Sequence, residues 1–137
     1  DDPACVSVCP TTAMHKEGKR GLVLVDETKC VGCGYCVMAC PYTAPKVSRE
    51  LGYSVKCNGC EERLNQGLQP ICVMSCPLRA LDFGPIDELR KKYGDTAEIH
   101  PMPSASYTHP NITIKPSPAA LDPAASKAHV ANPKEVQ

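Results

Sequence analysis

Residues 30–41 read CVGCGYCVMACP, with thiols at Cys30, Cys33, Cys36 and Cys40 and a proline directly after the last of them. The spacing Cys-x-x-Cys-x-x-Cys-x-x-x-Cys-Pro is that of a loop that binds a [4Fe–4S] cluster. Its first three thiols lie on one small concave surface, where they can hold three corners of a cuboidal cluster. The fourth follows on a helix that leads away from the loop, so it points at a different cluster, and such motifs come in pairs.

Two further cysteine groups repeat parts of this pattern, one of them incomplete and one with eleven residues inserted in its middle. Their thiols are Cys5 and Cys9 in the first group, and Cys57, Cys60, Cys72 and Cys76 in the last. All three groups end in Cys-x-x-x-Cys-Pro and together use all ten cysteines, whereas three complete groups need twelve. We therefore expect the two absent thiols to precede Asp1, in a longer protein of which this chain is an N-terminally truncated piece.

Ten cysteines in a small chain allow two other interpretations. An even number of thiols is typical of a disulfide framework in a secreted protein, and two Cys-x-x-Cys pairs can form a structural zinc site. The groups that end in Cys-Pro are more typical of metal or redox sites than of disulfides, and the third thiol at Cys36 is surplus to a zinc pattern. The sequence therefore favours iron–sulfur clusters, with zinc and disulfides as the alternatives.

The composition limits what else the chain can do. With 137 residues, one Phe and no Trp, it has room for one small domain and a tail but forms a poor hydrophobic core. Bound clusters can supply the missing stability, because metal binding to thiolates is coupled to folding. Fifteen basic and fifteen acidic residues cancel without forming a basic stripe, which argues against a nucleic-acid partner. No apolar run approaches the length of a membrane span.

Local patterns predict short helices and strands between the cysteine groups. We expect a β-hairpin from 14–16 and 22–25, strands at 53–56, 81–83 and 111–115, and short helices at 10–14, 36–40, 61–66 and 85–93. The order of cluster loop, helix, hairpin, cluster loop and helix is typical of a bacterial ferredoxin-like fold. The predicted fold class is thus α+β, of the tandem 2[4Fe–4S] ferredoxin type, with short helices and β-hairpins around the clusters.

Three segments follow from the cysteine groups and the composition. Residues 1–56 are predicted to form a ferredoxin-type domain that lacks its first ligands, and residues 57–94 part of a second one plus a helix. Residues 95–137 contain seven prolines mixed with Ser and Ala and are predicted to form an extended C-terminal arm. This arm is either disordered or lies along a partner subunit.

The segments around the cysteines resemble a known family. They read DPAC at 2–5, MACPY at 38–42, CVMSCP at 72–77, CPLRALDFGPIDELR at 76–90, PNITIKP at 110–116 and ANPKEV at 131–136. They are similar to the four-cluster electron-transfer subunits of molybdopterin oxidoreductases, and most closely to the iron–sulfur subunits of the dimethyl sulfoxide reductase type. The resemblance covers nearly all of the sequence.

This resemblance implies four [4Fe–4S] clusters in the intact protein, each with three thiols from one group and the last from a partner group. One complete ligand set is implied here, formed by Cys9, Cys30, Cys33 and Cys36. The partial sets are Cys5 and Cys40 for a second cluster, Cys57, Cys60 and Cys72 for a third, and Cys76 for a fourth. Some nitrate-reductase-type relatives have Trp at the position of Cys33 and carry a [3Fe–4S] centre, so the cysteine here implies four irons.

The family's function is a relay without catalysis of its own. The resemblance implies that electrons pass from a membrane anchor subunit that oxidises quinol, through the clusters, to a molybdopterin catalytic subunit in anaerobic respiration. The implied location is the periplasmic face of the inner membrane, through the partner subunits, with the cytoplasmic face as the alternative. Other possibilities are the equivalent subunit of a nitrate, tetrathionate, polysulfide or formate enzyme, a free polyferredoxin, or a zinc-stapled interaction module.

The sequence does not support the hypothesis that the chain is an enzyme in its own right. The four histidines stand outside every cysteine group, and no pair of them has metal-ligand spacing. They are His15, His100, His109 and His129. A Rieske-type centre would need two histidines among the cluster ligands.

Overall fold

The computed structural model describes residues 1–121, so the end of the predicted arm lies outside the described residues. Within this part the fold is mixed, with helices of four to eight residues and strands of two or three. The helices are α1 (Ala4–Ser7), α2 (Tyr35–Ala39), α3 (Glu61–Asn65), α4 (Ile71–Ser75) and α5 (Ile86–Tyr93). The strands are β1 (Met14–Lys16), β2 (Val23–Val25), β3 (Lys46–Val47) and β4 (Ser54–Val55).

The first predicted β-hairpin is confirmed. Strands β1 and β2 pair antiparallel with Met14 opposite Val25, and the loop between them returns through Gly21 in a left-handed conformation. Met14 is 2% exposed and forms a small core with the buried Cys5 and Cys36. Two of the three side chains at the centre of this core are therefore predicted cluster ligands, which fits a domain whose folding depends on its metal.

A second hairpin, which was predicted only in its last strand, holds the cluster loop formed by residues 30–34. Strands β3 and β4 pair antiparallel with Val47 opposite Ser54. The turn of this hairpin approaches the loop so closely that a Cβ on Gly32 would lie 2.6 Å from the carbonyl oxygen of Gly52. Only glycine fits at this contact, and Gly32 also has a φ of +66°, which L side chains rarely adopt.

The helix predicted at 85–93 is confirmed as α5, which begins one residue later, directly after Pro85, and ends at Tyr93, before Gly94. Pro85 suits the start of a helix because its ring restricts φ and the N–H it lacks would have no intrahelical partner. Ile86, Leu89 and Tyr93 are half-buried on one face of the helix, while most of its charged residues are exposed. The other predicted helices at 36–40 and 61–66 are confirmed as α2 and α3 within one residue of their expected ends.

Three predicted elements are wrong. The helix expected at 10–14 is a turn, because Thr12 takes a φ of +55° and Met14 pairs into β1. The strand expected at 81–83 is absent, because the Asp82 carboxylate accepts hydrogen bonds from residues of α5 instead of facing a partner strand. The strand expected at 111–115 is irregular, and in it Ile114 N donates to Thr96 O at 2.8 Å without a continuing ladder.

Part of the segment after α5 lies against the N-terminal region. Residues 95–121 contain only two 3₁₀ turns, Ala105–Tyr107 and Pro118–Leu121. Thr108 is buried: its carbonyl oxygen accepts from Asp2 N at 2.9 Å, and its hydroxyl lies 3.2 Å from the Tyr42 hydroxyl. No helix in residues 1–121 has the length and apolarity needed to cross a membrane.

Candidate iron–sulfur centres

Four thiols from two cysteine groups line one cavity beside the β1–β2 hairpin. They are Cys9, Cys30, Cys33 and Cys36. The wall of this cavity is mainly apolar, with Met14, Val25 and Val31 among the lining residues. These are the four thiols that the family resemblance implies for one complete ligand set, and the fold brings them together although 27 positions separate the first from the last.

Three of these sulfur atoms have hydrogen-bond partners in the surrounding residues. Met14 N donates to Cys9 Sγ at 3.3 Å, and Ser54 N donates to Cys30 Sγ at 3.3 Å. The Ser54 hydroxyl lies 3.3 Å from Cys36 Sγ in a buried contact. Hydrogen-bond donors that face sulfur favour thiolates, which are the form of cysteine that binds metal.

The pKa of Cys9 is shifted towards the thiolate form. Burial raises the pKa of the Cys9 thiol, but hydrogen bonds from Met14 N–H and from Thr11 outweigh burial, and the net pKa is below that of a free cysteine. The Thr11 hydroxyl lies 3.8 Å from Cys9 Sγ. The turn that follows Cys9 therefore favours the deprotonated form of its thiol.

A second, more open cavity is lined by Cys5 and Cys40. These are the two thiols implied for a second cluster. Thr108 also lines this cavity, so the segment after α5 forms part of its wall. Burial and the nearby Cys40 raise the pKa of the Cys5 thiol, and the positive charge of Lys56 opposes them.

Lys56 is a half-buried cation among three predicted ligands. Its Nζ donates hydrogen bonds to the carbonyl oxygens of Val23 and Cys57. Burial lowers the pKa of Lys56, whereas Cys5, Cys57 and Cys40, in that order of strength, act to raise it. A positive charge at this place offsets the negative charge that accumulates on neighbouring thiolates.

The third cysteine group is more open to solvent. Cys57 and Cys72 are exposed, and Cys60 and Cys76 are partly exposed. Ala80 N donates to Cys76 Sγ at 3.3 Å, and this hydrogen bond is the main reason why the pKa of Cys76 is lowered. This region thus presents thiols at a surface.

All ten cysteines lie within the described residues, and all are free of disulfide bonds. Among residues 1–121, no three or more His, Cys, Asp or Glu side chains converge on one point where a single metal ion would bind. The irons of a cuboidal cluster occupy separate corners, so its thiolates surround a space. The four thiols that line the first cavity fit such a cluster in number and chemistry.

Comparison with known proteins agrees with this fit. Residues 1–86 match the family model of the 4Fe-4S dicluster domain. The protein belongs to this family. Its cofactor is the [4Fe–4S] cluster, and the ferredoxin-type nature of the domain is confirmed.

Several curated proteins are similar over nearly the whole sequence. It is 56% identical over 136 residues to the B subunit of the anaerobic dimethyl sulfoxide reductase of Escherichia coli strain K12, a match that covers 99% of this chain and 66% of the relative. It is 52% identical over 135 residues to the subunit of the same name from Haemophilus influenzae, covering 98% and 65%. The resemblance to iron–sulfur subunits of the dimethyl sulfoxide reductase type is thus confirmed. The chain spans just under two thirds of the length of these relatives.

A shorter match extends the comparison to another enzyme complex. Over 89 residues the chain is 45% identical to the thiosulfate reductase electron transfer subunit PhsB of Salmonella typhi, covering 64% of this chain and 46% of the relative. The protein is therefore similar to subunits of more than one reductase.

Sequence reasoning missed the residues that face the sulfur atoms from outside the cysteine groups. Met14 was predicted to end a helix and to begin a strand, and Ser54 and Lys56 were predicted only as parts of a strand that leads into the third cysteine group. No signal in the sequence marks a hydrogen bond to Cys36 from a residue 18 positions away.

Proposed function

We propose that this chain is the iron–sulfur electron-transfer part of a respiratory complex of the dimethyl sulfoxide reductase type. It relays electrons from a quinol-oxidising membrane subunit to a molybdopterin catalytic subunit and catalyses no reaction itself. The observation that carries the proposal is the cavity lined by four thiols from two cysteine groups, in a chain whose relatives are named as reductase subunits.

We assign the ligands by cavity and by cysteine group. Cys9, Cys30, Cys33 and Cys36 hold one complete cluster, and Cys5 and Cys40 belong to a second. Cys57, Cys60 and Cys72 belong to a third cluster and Cys76 to a fourth. The shared cavities of the first two sets support this assignment.

The protein's own residues hold the clusters, keep water away and set their potentials. A [4Fe–4S] cluster supplies reversible one-electron chemistry, at potentials between about −700 and +450 mV that depend on hydrogen bonds to sulfur, charge and burial. Val25 and Val31 supply apolar walls around the complete set. Met14 N–H donates a hydrogen bond to one of its sulfur atoms.

The first two proposed clusters adjoin each other. Cys5, from the second set, and Cys36, from the first, belong to one buried core, against which Cys9 also packs. Helix α1, which carries Cys5, and helix α2, which carries Cys36, contact each other directly. Close neighbours of this kind suit a relay in which electrons pass from one cluster to the next.

The remaining organisation follows the same family pattern. Residues 1–56 and 57–94 form the two halves of a tandem ferredoxin arrangement, and residues 95–121 form the start of an arm for a partner subunit, whose predicted end lies outside the described residues. The complex is held at the periplasmic face of the inner membrane by its anchor subunit. The contact of Thr108 with Tyr42 supports an arm that lies against the first half of the protein near its own beginning.

A second candidate is the equivalent subunit of a complex that reduces another acceptor. The similarity to a thiosulfate reductase electron transfer subunit favours it. Mixing the reduced protein with each catalytic subunit and its acceptor distinguishes the two candidates, because reoxidation depends on the matching pair.

Purification without oxygen tests the central proposal. We expect a brown protein that contains iron and acid-labile sulfide and gives an EPR signal after reduction. A protein that contains zinc and no labile sulfide would contradict the proposal.

A further inference from the structure

Ser54 is a buried polar residue with two donors aimed at one proposed cluster site. Its exposure is 2%, and it lies in β4, outside all three cysteine groups. Its backbone N–H donates to Cys30 Sγ at 3.3 Å, and its hydroxyl lies 3.3 Å from Cys36 Sγ. It also lines the cavity that the four thiols surround.

The pairing of the second hairpin explains why the backbone donor is available. Ser48 N donates to Tyr53 O at 3.0 Å, so the residue pair next to Val47 and Ser54 is hydrogen-bonded. In an antiparallel ladder, hydrogen-bonded and non-hydrogen-bonded pairs alternate. The N–H of Ser54 therefore faces away from β3 and towards the cluster loop.

The hydroxyl has only one way to act when Cys36 is a ligand. A thiolate has no proton to give, so the Ser54 hydroxyl is the donor and the sulfur accepts. The contact is buried, where an interaction with a charged acceptor is strong because water competes little. Removing the hydroxyl leaves the sulfur without this donor, while the backbone N–H to Cys30 remains.

We propose that the Ser54 hydroxyl raises the reduction potential of the cluster held by Cys9, Cys30, Cys33 and Cys36 through its hydrogen bond to Cys36. The proposal rests on the proposed function, because it needs that ligand set. Reduction adds one electron to the cluster and its thiolates. Donors fixed towards the sulfur atoms stabilise the more negative state, so they favour reduction.

The test is an EPR-monitored redox titration of the anaerobically purified protein with its cluster bound. We expect Ser54→Ala to keep its iron and labile sulfide and to shift the midpoint potential to a more negative value. At fixed ambient potential, the ratio of reduced to oxidised cluster falls about tenfold, which corresponds to about 59 mV for one electron. Ser48→Ala is the matched control, because the Ser48 hydroxyl accepts from Leu51 N in the same hairpin and faces no sulfur.

An isosteric pair keeps the test valid if alanine impairs cluster binding. Ser54→Thr retains the hydroxyl and Ser54→Val replaces it with a methyl group of similar size. We expect the threonine variant to titrate near the wild type and the valine variant at a lower potential. Equal potentials in these two variants, or a wild-type potential in a fully loaded Ser54→Ala protein, would overturn the proposal for Ser54 and leave the ligand set intact. A wild-type protein without labile sulfide would instead overturn the proposed function.

Discussion

The first two cysteine groups and the third use the same spacing in different surroundings. Around the first cavity, thiols from two groups meet behind two β-hairpins, and three of their sulfur atoms have hydrogen-bond partners from neighbouring residues. In the third group, Cys57 and Cys72 are exposed, and the hydrogen bond to Cys76 comes from its own turn at Ala80. The same motif therefore forms a more buried site in one half, where Cys33 alone of the four thiols is exposed, and a surface array in the other.

This difference shows what completes a cluster site of this kind. Spacing within one group places three thiols, but enclosure comes from other parts of the protein, such as the turn of the β3–β4 hairpin against Gly32. The third group receives less of this support from residues 1–121. We infer that a partner subunit supplies the missing cover over this group.

The largest effect is expected from replacing one predicted ligand in the first site and one in the third cysteine group. We expect Cys33→Ser to remove or severely damage the cluster of the complete set, because the altered residue lines its cavity. Cys76→Ser in this same protein leaves that cluster unchanged, because Cys76 belongs to a different set. Iron and labile sulfide per molecule, together with EPR spin quantitation after reduction, measure both effects.

The two variants control for each other, since each replaces one sulfur with oxygen at a cysteine within the same type of motif. Equal loss of iron from both would contradict the ligand assignment. Loss from Cys76→Ser alone would place the stable cluster in the third group and reverse the contrast between the two halves.

A smaller effect on stability is expected from alanine substitutions at matching glycines of the two cysteine groups. Gly32 and Gly59 occupy the same place in their motifs, Cys-x-Gly-Cys, and have φ values of +66° and +67°. In both, alanine costs about 1–2 kcal/mol for the left-handed conformation. Gly32→Ala also meets the Gly52 carbonyl oxygen at 2.6 Å, whereas Gly59→Ala meets the end of the Leu22 side chain at 2.8 Å, which can move aside.

We therefore expect Gly32→Ala to be the more damaging of the two, by a further ~1–3 kcal/mol of overpacking. The measurement is the denaturant concentration at which half of the cluster absorbance is lost. Gly34→Ala is the control, because Gly34 has a φ of +79° and open space around its Cβ position. If Gly32→Ala and Gly34→Ala behaved alike, the hairpin would not be the wall that encloses the first cluster.

The sequence predicted those features that depend on local chemistry. Thiol spacing is set by the geometry of the cluster, so the candidate ligands could be read from Cys30, Cys33 and Cys36 alone. The first hairpin was also predictable, because Leu22–Val25 is rich in β-branched residues and follows a loop with two glycines. Both features depend on residues close together in the sequence.

Features that depend on distant contacts were not predictable. The apolar residues around Asp82 suggested a strand, but the carboxylate binds Lys92 at 2.9 Å and Tyr93 at 2.7 Å and so attaches this segment to α5. The role of Ser54 depends on a register of β3 and β4 that no local pattern specifies. Tertiary contacts thus explain why the strand at 81–83 was predicted wrongly and why the hydrogen-bond donor Ser54 was not predicted.

The smallest test concerns the link between the two halves. Arg20, in the loop of the first hairpin, donates from Nη1 to Asn65 Oδ1 at 2.9 Å and from Nη2 to Leu64 O at 3.2 Å. Both acceptors belong to α3, which follows Cys60. Arg20→Lys removes the planar pair of donors, since a lysine ammonium cannot reproduce this fork. We expect a loss of about 1 kcal/mol or less, because the Asn65 contact is solvent-exposed.

A double-mutant cycle isolates this link from other effects of the arginine. Arg20→Lys and Asn65→Ala, separately and together, are compared by the denaturant midpoint of cluster loss, with Lys19→Ala as an exposed neighbouring control. A coupling of roughly 0.5 kcal/mol is expected for two residues that contact each other. A coupling of zero would mean that α3 gains nothing from the first hairpin at this contact. The third cysteine group would then depend even more on partners outside the described residues.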